Sequence, residues 1–408
     1  MQPWYYCAGG QEKEITANFL IMKCGGIRVM PHCNKRMLSF FLTTKCNLCC
    51  RYCYNAEERS KVSEITLPFQ IAKASIDWYF SNQTSRHIRF YGPGEPTREF
   101  GLLKQITEYA RNHPKSDGKV TVELQTNGVF TDEVCRWLLN NANIIWMSFD
   151  GMKAIQDNNR PLNPRYTGEV GGRSSGQVLE DNVKWLNEHK DGKNLMVGAR
   201  ATITKENVDR QIELVDYFAS LGIQYIWSDP LFQPVGAKPV CNSGTREEEI
   251  NLDEYVEQYI RAKEYADSVG LFYGSFLAVN FDGQSEYHCR ACTPLLAPHI
   301  TPDGYISACD MVVIGEKPHH MSPFIVGKYE PNGFIFFTDK IKELEERKSS
   351  NILHCIDCPV KFYCGGYCLG ETVNETGILD GQCVRICEAI KKLYQRIGNC
   401  HEYKYLHP

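Results

Sequence analysis

Much that would classify this chain at a glance is missing from it. No apolar run among its 408 residues approaches the roughly 20 residues of a membrane-spanning helix, so no membrane association is expected. The start, Met1-Gln2-Pro3-Trp4-Tyr5-Tyr6-Cys7, lacks a basic stretch followed by an apolar core, which argues against a secretory signal and for a cytoplasmic protein. Net charge is only −4, from 45 Lys and Arg against 49 Asp and Glu, so bulk electrostatics favour neither nucleic acid nor an anionic membrane. Internal repeats and low-complexity tracts are absent. Hydrophobic content of 43% and charged content of 23% are ordinary for a globular protein, and the length allows two or three domains.

Cysteine is the exception, with nineteen. In a secreted chain that number would indicate disulfides; without an export signal it indicates metal or redox chemistry. Four cysteines lie at 46–53 and ten between Cys289 and Cys400, with only Cys135 and Cys241 between the groups. Two cysteine-rich regions thus flank a cysteine-poor one, which marks boundaries. Cys24, Cys33 and His32, further upstream, could bind metal or be structural.

The first group reads Lys45-Cys46-Asn47-Leu48-Cys49-Cys50-Arg51-Tyr52-Cys53-Tyr54, a C-x3-C-x2-C spacing directly after the apolar run Met37–Leu42. Thiolates are the usual ligands of iron–sulfur clusters, and three of them on a four-iron cubane leave one iron open for a small molecule. Structural zinc, the rival, wants four ligands, usually in paired C-x2-4-C units. Cys49 could supply a fourth thiol, but it points away from Cys50 in so short a loop, and it reads as a spectator.

From residue 38 to about 230, short apolar strands alternate with amphipathic helices. Strands are expected at 38–43, 88–91, 120–125, 144–149, 197–202 and 223–227, and helices at 68–80, 99–112, 132–140, 176–188 and 207–221. Strands joined by helix-length connections imply parallel βαβ units and an α/β fold. Six such units form a partial (β/α)6 TIM-like barrel, in which functional residues gather where strands end. A charged helix is expected from Leu252 to Val269, and the region beyond Tyr287 reads as short on helix and rich in Cys, Gly and Pro.

The cysteine spacing, with an aromatic residue just before the third cysteine, resembles the signature of the radical S-adenosylmethionine (SAM) enzymes, and the resemblance extends over residues 38–230. It implies a cluster on Cys46, Cys50 and Cys53, with Tyr52 beside the adenine. Tyr91-Gly92-Pro93-Gly94-Glu95-Pro96 resembles the family's G-G-E-P motif, with Pro93 in place of the first glycine, so Gly94 and Glu95 are expected at the methionyl amine. Glycine permits close backbone approach, and a carboxylate suits an ammonium group. Gln125-Thr126-Asn127-Gly128 resembles the T-N-G segment, although Asn-Gly is also an ordinary turn. Ser148 matches a ribose- or carboxylate-contacting position, Asp150 a position near the substrate, and Arg160 the downstream D-x-x-R. Arg200 matches a position that pairs with the cofactor carboxylate, a role to which a guanidinium is suited.

Downstream, Cys292 is followed by eleven residues, Gly304 lies four residues before Cys309, and Cys355, Cys358, Cys364 and Cys368 follow at x2, x5 and x3 spacings, then Cys383 and Cys387. This layout resembles the SPASM domain of radical SAM maturases, which carries two auxiliary 4Fe–4S clusters. The resemblance implies Cys292, Cys309 and Cys368 on one cluster, with Cys289 as its fourth ligand or an open iron in its place. It implies Cys355, Cys358, Cys364 and either Cys387 or Cys383 on the other. The domains are then a 1–36 extension, a 37–233 barrel, a 234–286 bridge and a 287–408 SPASM domain.

The same resemblance implies SAM and three 4Fe–4S clusters as cofactors, a flavodoxin or ferredoxin-type electron donor, and a peptide or protein substrate modified after translation. Relatives that crosslink peptides often carry a leader-binding module of about 80–90 residues before the cluster motif. Only 45 residues precede Cys46, so that module is expected to be absent or supplied in trans. Asp310, directly after Cys309, resembles the aspartate that is a candidate base in anaerobic sulfatase maturases. The leading expectation is a maturase of a ribosomal peptide, giving a crosslinked or oxidised side chain. Sulfatase-type oxidation of Cys or Ser is second, and a SPASM dehydrogenase or epimerase acting on a small molecule is the rival outside that class.

Overall fold

The apolar run at 37–42 is buried at every position, as a strand covered on both faces must be. In the computed structural model it forms the strand from which the fold is built. The structure describes residues 36–232, 250–281, 284–288, 293–316 and 320–398, and the backbone of two short antiparallel strands, β1 (Lys23–Cys24) and β2 (Ile27–Arg28). The barrel strands follow as β3 (Leu38–Phe41), β4 (His87–Tyr91), β5 (Thr121–Thr126), β6 (Ile144–Ser148), β7 (Met196–Ile203) and β8 (Tyr225–Pro230). Neighbouring strands pair in parallel, in sequence order.

Helices Phe69–Asn82, Phe100–Asn112, Asp132–Asn141, Ser175–His189 and Gln211–Ser220 make the crossovers. Their buried residues, among them Ile76, Phe80, Ile106, Leu138, Leu186 and Phe218, pack with Phe40, Phe90, Leu124, Met147 and Ala199 of the strands. Because side chains alternate along a strand, the intervening residues face the other way. There Trp146, Met196 and Trp227 fill one level, with glycines at 198 and 274 where a Cβ would strike their rings. His87, Arg89, Glu123, Gln125, Arg200 and Asp229 share that inner face, so the barrel interior is polar toward the strand ends.

Two features depart from expectation. The parallel sheet continues beyond six strands. After the helix Leu252–Ser268, capped by Asn251 accepting from Asp253 N at 2.9 Å, β9 (Phe272–Gly274) adds to β8. On the opposite edge β10 (His299–Ile300) pairs in parallel with β3, His299 against Ser39. From β10 the sheet runs on antiparallel through β11 (Tyr305–Ser307), β12 (Ile325–Glu330) and β13 (Gly333–Phe336). The C-terminal region is also more helical than its composition implied, with helices Thr338–Glu346, Lys361–Cys364, Leu369–Thr376 and Val384–Leu393. They are short, and three end within or beside cysteine and glycine positions, which hides their period. Among the described residues no helix is long and apolar enough to cross a membrane.

Candidate active site

At the carboxyl ends of the strands lies a cavity of about 430 Å³. Parallel sheets place their sites here because loops from successive strands converge. Cys46, Cys50 and Cys53 reach it from the loop after β3, Gly94 and Glu95 from the loop after β4, Ser148 from the end of β6, and Arg200 from β7. Cys309, Asp310, Cys368 and Glu371 close it from the C-terminal side.

The cysteine loop is held by its neighbours' backbones. Cys49 N donates to Pro161 O at 2.8 Å, Arg51 N to Asn159 O at 2.9 Å, and Asn163 N to Asn47 O at 2.9 Å. Asn127, in the turn after β5, donates through Nδ2 to Asn47 Oδ1 at 2.7 Å, so the Thr126-Asn127-Gly128 turn also fastens this loop. Cys49 is buried and disulfide-bonded, outside the set of free thiols. Burial pushes the Cys46 and Cys50 thiols up, the latter to about 12, while the nearby guanidinium groups of Arg59 and Arg160, respectively, oppose this. Arg59 also donates to Pro93 O at 2.9 Å, which ties the cysteine loop to the Gly94-Glu95 loop.

Glu95 is 2% exposed and nearly saturated. Its Oε1 accepts from Thr97 N at 3.0 Å, Thr97 Oγ1 at 2.8 Å and Thr126 Oγ1 at 2.7 Å, and its Oε2 from Asn127 N at 2.8 Å. A carboxylate has about four lone-pair sites. Glu95 therefore clamps the loops after β4 and β5 together while lining the cavity. Burial raises its pKa and these four donors lower it. Gly94 abuts the backbone of the cysteine loop so closely that a Cβ would stand 2.3 Å from Lys45 O.

Tyr52 is tied by its hydroxyl to Asp150, whose carboxylate is fully buried. Arg160 grips the same carboxylate in bidentate fashion, Nε to Oδ2 at 3.1 Å and Nη2 to Oδ1 at 3.0 Å, with its guanidinium 5.2 Å from the Tyr52 ring centroid. Thr202 N adds a bond to Asp150 Oδ1 at 3.0 Å. The D-x-x-R arginine is thus the partner of the acid ten residues upstream, and together they fix the aromatic residue of the cysteine motif. Ser148 lies in register with Arg200, which contacts Gln125 Oε1 at 3.3 Å and Asp229 Oδ2 at 3.4 Å.

On the far wall, Cys309 and Cys368 sulfurs both approach Gly370, within 2.7 and 3.8 Å of where its Cβ would be. Cys289 and Cys292, expected beside them, lie outside the described residues. Asp310 is half-buried at the cavity. It faces the Tyr54–Tyr91 hydroxyl pair and helps raise both phenols, burial being the larger cause. In the outer group, Cys387 stands near enough to Cys355, Cys358 and Cys364 for their charges to couple, whereas Cys383 lies against Thr372 Oγ1 at 3.9 Å and near Glu375.

Among the cavity residues that escaped the sequence reading as site candidates are Gln125, Asp229 and Glu371. Asp229 lies at the end of β8, where the strand-end rule would have found it. Glu371 opens the helix after Cys368; burial and its neighbours Asp310, Glu375 and Asp229 push its carboxyl up to about 8. Nothing in its spacing signals this.

Do the thiols fit an iron–sulfur cluster? Among the described residues no three His, Cys, Asp or Glu side chains converge on one ion-sized point. A cubane does not require that, because each iron takes a single thiolate and the ligands stand around the cluster. The three free thiols of the first loop line one cavity, and the guanidinium groups near Cys46 and Cys50 oppose the rise that burial gives those two thiols. The donor set fits.

No family model matches the chain. The serine-type anaerobic sulfatase-maturating enzyme of Klebsiella aerogenes is 24% identical over 339 residues, covering 79% of this chain and 76% of that one. The radical SAM cyclopropyl synthase TigE of Paramaledivibacter caminithermalis is 22% identical over 396 residues, covering 90% and 76%. Among solved structures, native anSMEcpe with bound AdoMet superposes with a TM-score of 0.69 at 17% identity, covering 88% of this chain and 96% of that one. The same protein has been solved with AdoMet and the Cp18Cys peptide, at a TM-score of 0.66. In sequence the chain is thus similar to radical SAM maturases, and it shares the fold of anSMEcpe.

Proposed function

We propose that this chain is a SPASM-type radical SAM maturase that abstracts hydrogen from a side chain of a peptide or protein, leaving it crosslinked or oxidised. The observation that carries the reading is one cavity with two kinds of wall. Strand-end residues with a three-cysteine loop form one side, and Cys309, Asp310 and Cys368 form the other. Cys46, Cys50 and Cys53 would hold the first cluster, and Tyr52, Gly94, Glu95, Ser148 and Arg200 would bound the SAM site. Bound there, SAM and a reduced cluster supply a 5′-deoxyadenosyl radical. Asp310 has no hydrogen-bond or ion-pair partner among the described residues, so its carboxylate is available to take a proton from substrate. Cys309 and Cys368 belong to one auxiliary cluster, with Cys292 and Cys289, and Cys355, Cys358, Cys364 and Cys387 to the other. The proximity of Cys387 to that trio favours it over Cys383. A peptide substrate is supported by the Cp18Cys complex of anSMEcpe. A flavodoxin or ferredoxin-type donor is the class of reductant such a cluster needs.

A second reading, sulfatase-type oxidation of Cys or Ser, is favoured by Asp310 following Cys309 and by the Klebsiella aerogenes relative. One experiment tests both. The anaerobically reconstituted enzyme is given SAM, a reductant and candidate peptides, and 5′-deoxyadenosine and peptide mass are followed. Ala at Cys46, Cys50 and Cys53 together abolishes SAM cleavage. Asp310→Asn slows peptide modification by about 10²-fold, the low end for a lost general base, while SAM cleavage persists. SAM cleavage by the triple variant would remove the central reading, and an unimpaired Asp310→Asn enzyme would remove the base.

A further inference from the structure

The polar inner face of the sheet holds a line of contacts that ends at the cavity. His87 Nε2 lies 2.9 Å from Glu123 Oε2, and Arg89 Nε lies 3.2 Å from Glu123 Oε1, all three residues being buried. Arg89 also lies over the Tyr91 ring, 4.5 Å from its centroid, so its guanidinium is held on two sides. Its Nη2 donates to Gln125 Oε1 at 2.7 Å, and the same oxygen accepts from Arg200 Nη1 at 3.3 Å. Two guanidinium donors converging on one amide fix which end is oxygen, since an amide nitrogen there would face donors with a donor. Arg200, at the end of the line, is half-buried, and among the described residues its polar side-chain contacts are the longer ones to Gln125 and to Asp229.

We propose that Gln125 is a positioning residue: held by Arg89, it orients the Arg200 guanidinium toward a carboxylate bound in the cavity. This rests on the reading of Arg200 as the contact for the SAM carboxylate. The chemistry explains why an amide stands here. A neutral acceptor aims a guanidinium without neutralising it, whereas a second carboxylate beside Asp229 would compete with an arriving carboxylate for the same donors. Long arginine side chains have many rotamers, so orienting one before the ligand arrives removes an entropic cost from binding.

The test measures binding of SAM and of decarboxylated SAM to the anaerobically reconstituted enzyme by calorimetry, with iron content and visible absorption confirming intact clusters. Gln125→Met removes the acceptor at similar size. It should weaken SAM about tenfold, as expected for a lost hydrogen bond to a charged group, and leave decarboxylated SAM unchanged. On an Arg200→Met background the same substitution should alter SAM affinity by less than about twofold, because a residue acting through Arg200 has nothing left to position. Gln125→Glu keeps the shape and adds the competing charge; it should also weaken SAM selectively, and it serves if the Met variant does not fold. Equal weakening of both ligands, additive effects of the two substitutions, or no effect of Gln125→Met would each overturn the relay. If Arg200→Met itself leaves SAM affinity intact, the carboxylate reading of Arg200 falls, and the relay with it.

Discussion

Gly94→Ala is the substitution whose consequence follows most directly from the geometry. A Cβ at residue 94 would stand 2.3 Å from Lys45 O, 2.4 Å from Thr43 O and 2.9 Å from Thr44 C. All three are backbone atoms, so no rotamer change relieves the clash, and the two loops must separate by about 1 Å to regain van der Waals contact. That separation also stretches the bond from Glu95 N to Lys45 O, now 2.7 Å. Overpacking of this kind costs about 1–3 kcal/mol, and the lost hydrogen bond about 1 kcal/mol more. The variant should therefore unfold at a lower denaturant concentration, with about 2–4 kcal/mol less stability. SAM affinity should fall as well, because the Glu95 loop and the cysteine loop move apart. Gly101→Ala is the control: it sits in the helix Phe100–Asn112 with nothing within 4 Å of its would-be Cβ. It should be neutral or stabilising by about 0.5–1 kcal/mol, since glycine is costly inside a helix. A Gly94→Ala protein with the stability and SAM affinity of the parent would refute the argument that this glycine is required by contact between the loops.

Two further substitutions probe the network and the outer cysteines. Arg160→Met strips the fully buried Asp150 of its one guanidinium partner among the described residues and should cost about 3–5 kcal/mol in a denaturant titration; a loss below about 1 kcal/mol would mean that Thr202 N, Asn159 and Tyr52 suffice to hold the acid. Cys387→Ser should lower the iron content of the reconstituted protein, whereas Cys383→Ser should retain it. The reverse pattern would reassign the ligand.

The six barrel strands were legible because each is an apolar run bounded by a helix-length amphipathic segment, and that alternation is what parallel βαβ packing demands. Their ends shift by up to three residues, as at β8, expected from residue 223 and found from Tyr225 to Pro230. Strands β9 and β10 were not legible. Three and two residues long, they have no period to display, and each is recruited by the edge of a sheet already formed. At the site, the cysteine loop and the Gly94-Glu95 turn announced themselves by spacing. Gln125 was visible only as part of a turn, and its role depends on Arg89 and Arg200, which are distant in sequence and meet across three strands. Glu95 shows the opposite limit. The sequence marks it as a cavity residue, but only the fold reveals that its oxygens already serve four donors.

That β10 joins the sheet has a consequence for the site. A cluster domain tethered by a linker could place its cysteines anywhere around the strand ends. Here the chain enters the region through a parallel pairing of His299 and Ile300 with Ser39 and Phe40, the strand whose end carries the cysteine loop. Two residues after β11 comes Cys309, whose backbone N–H donates to Ser307 Oγ at 3.0 Å while that hydroxyl donates to Cys309 O at 2.7 Å. The register of two short strands and this local turn therefore set Cys309 and Asp310 opposite Cys46, Cys50 and Cys53. A slip of one residue between β3 and β10 would turn each side chain to the other face. The placement of Asp310 across the cavity from the cysteine loop is thus fixed by sheet hydrogen bonds.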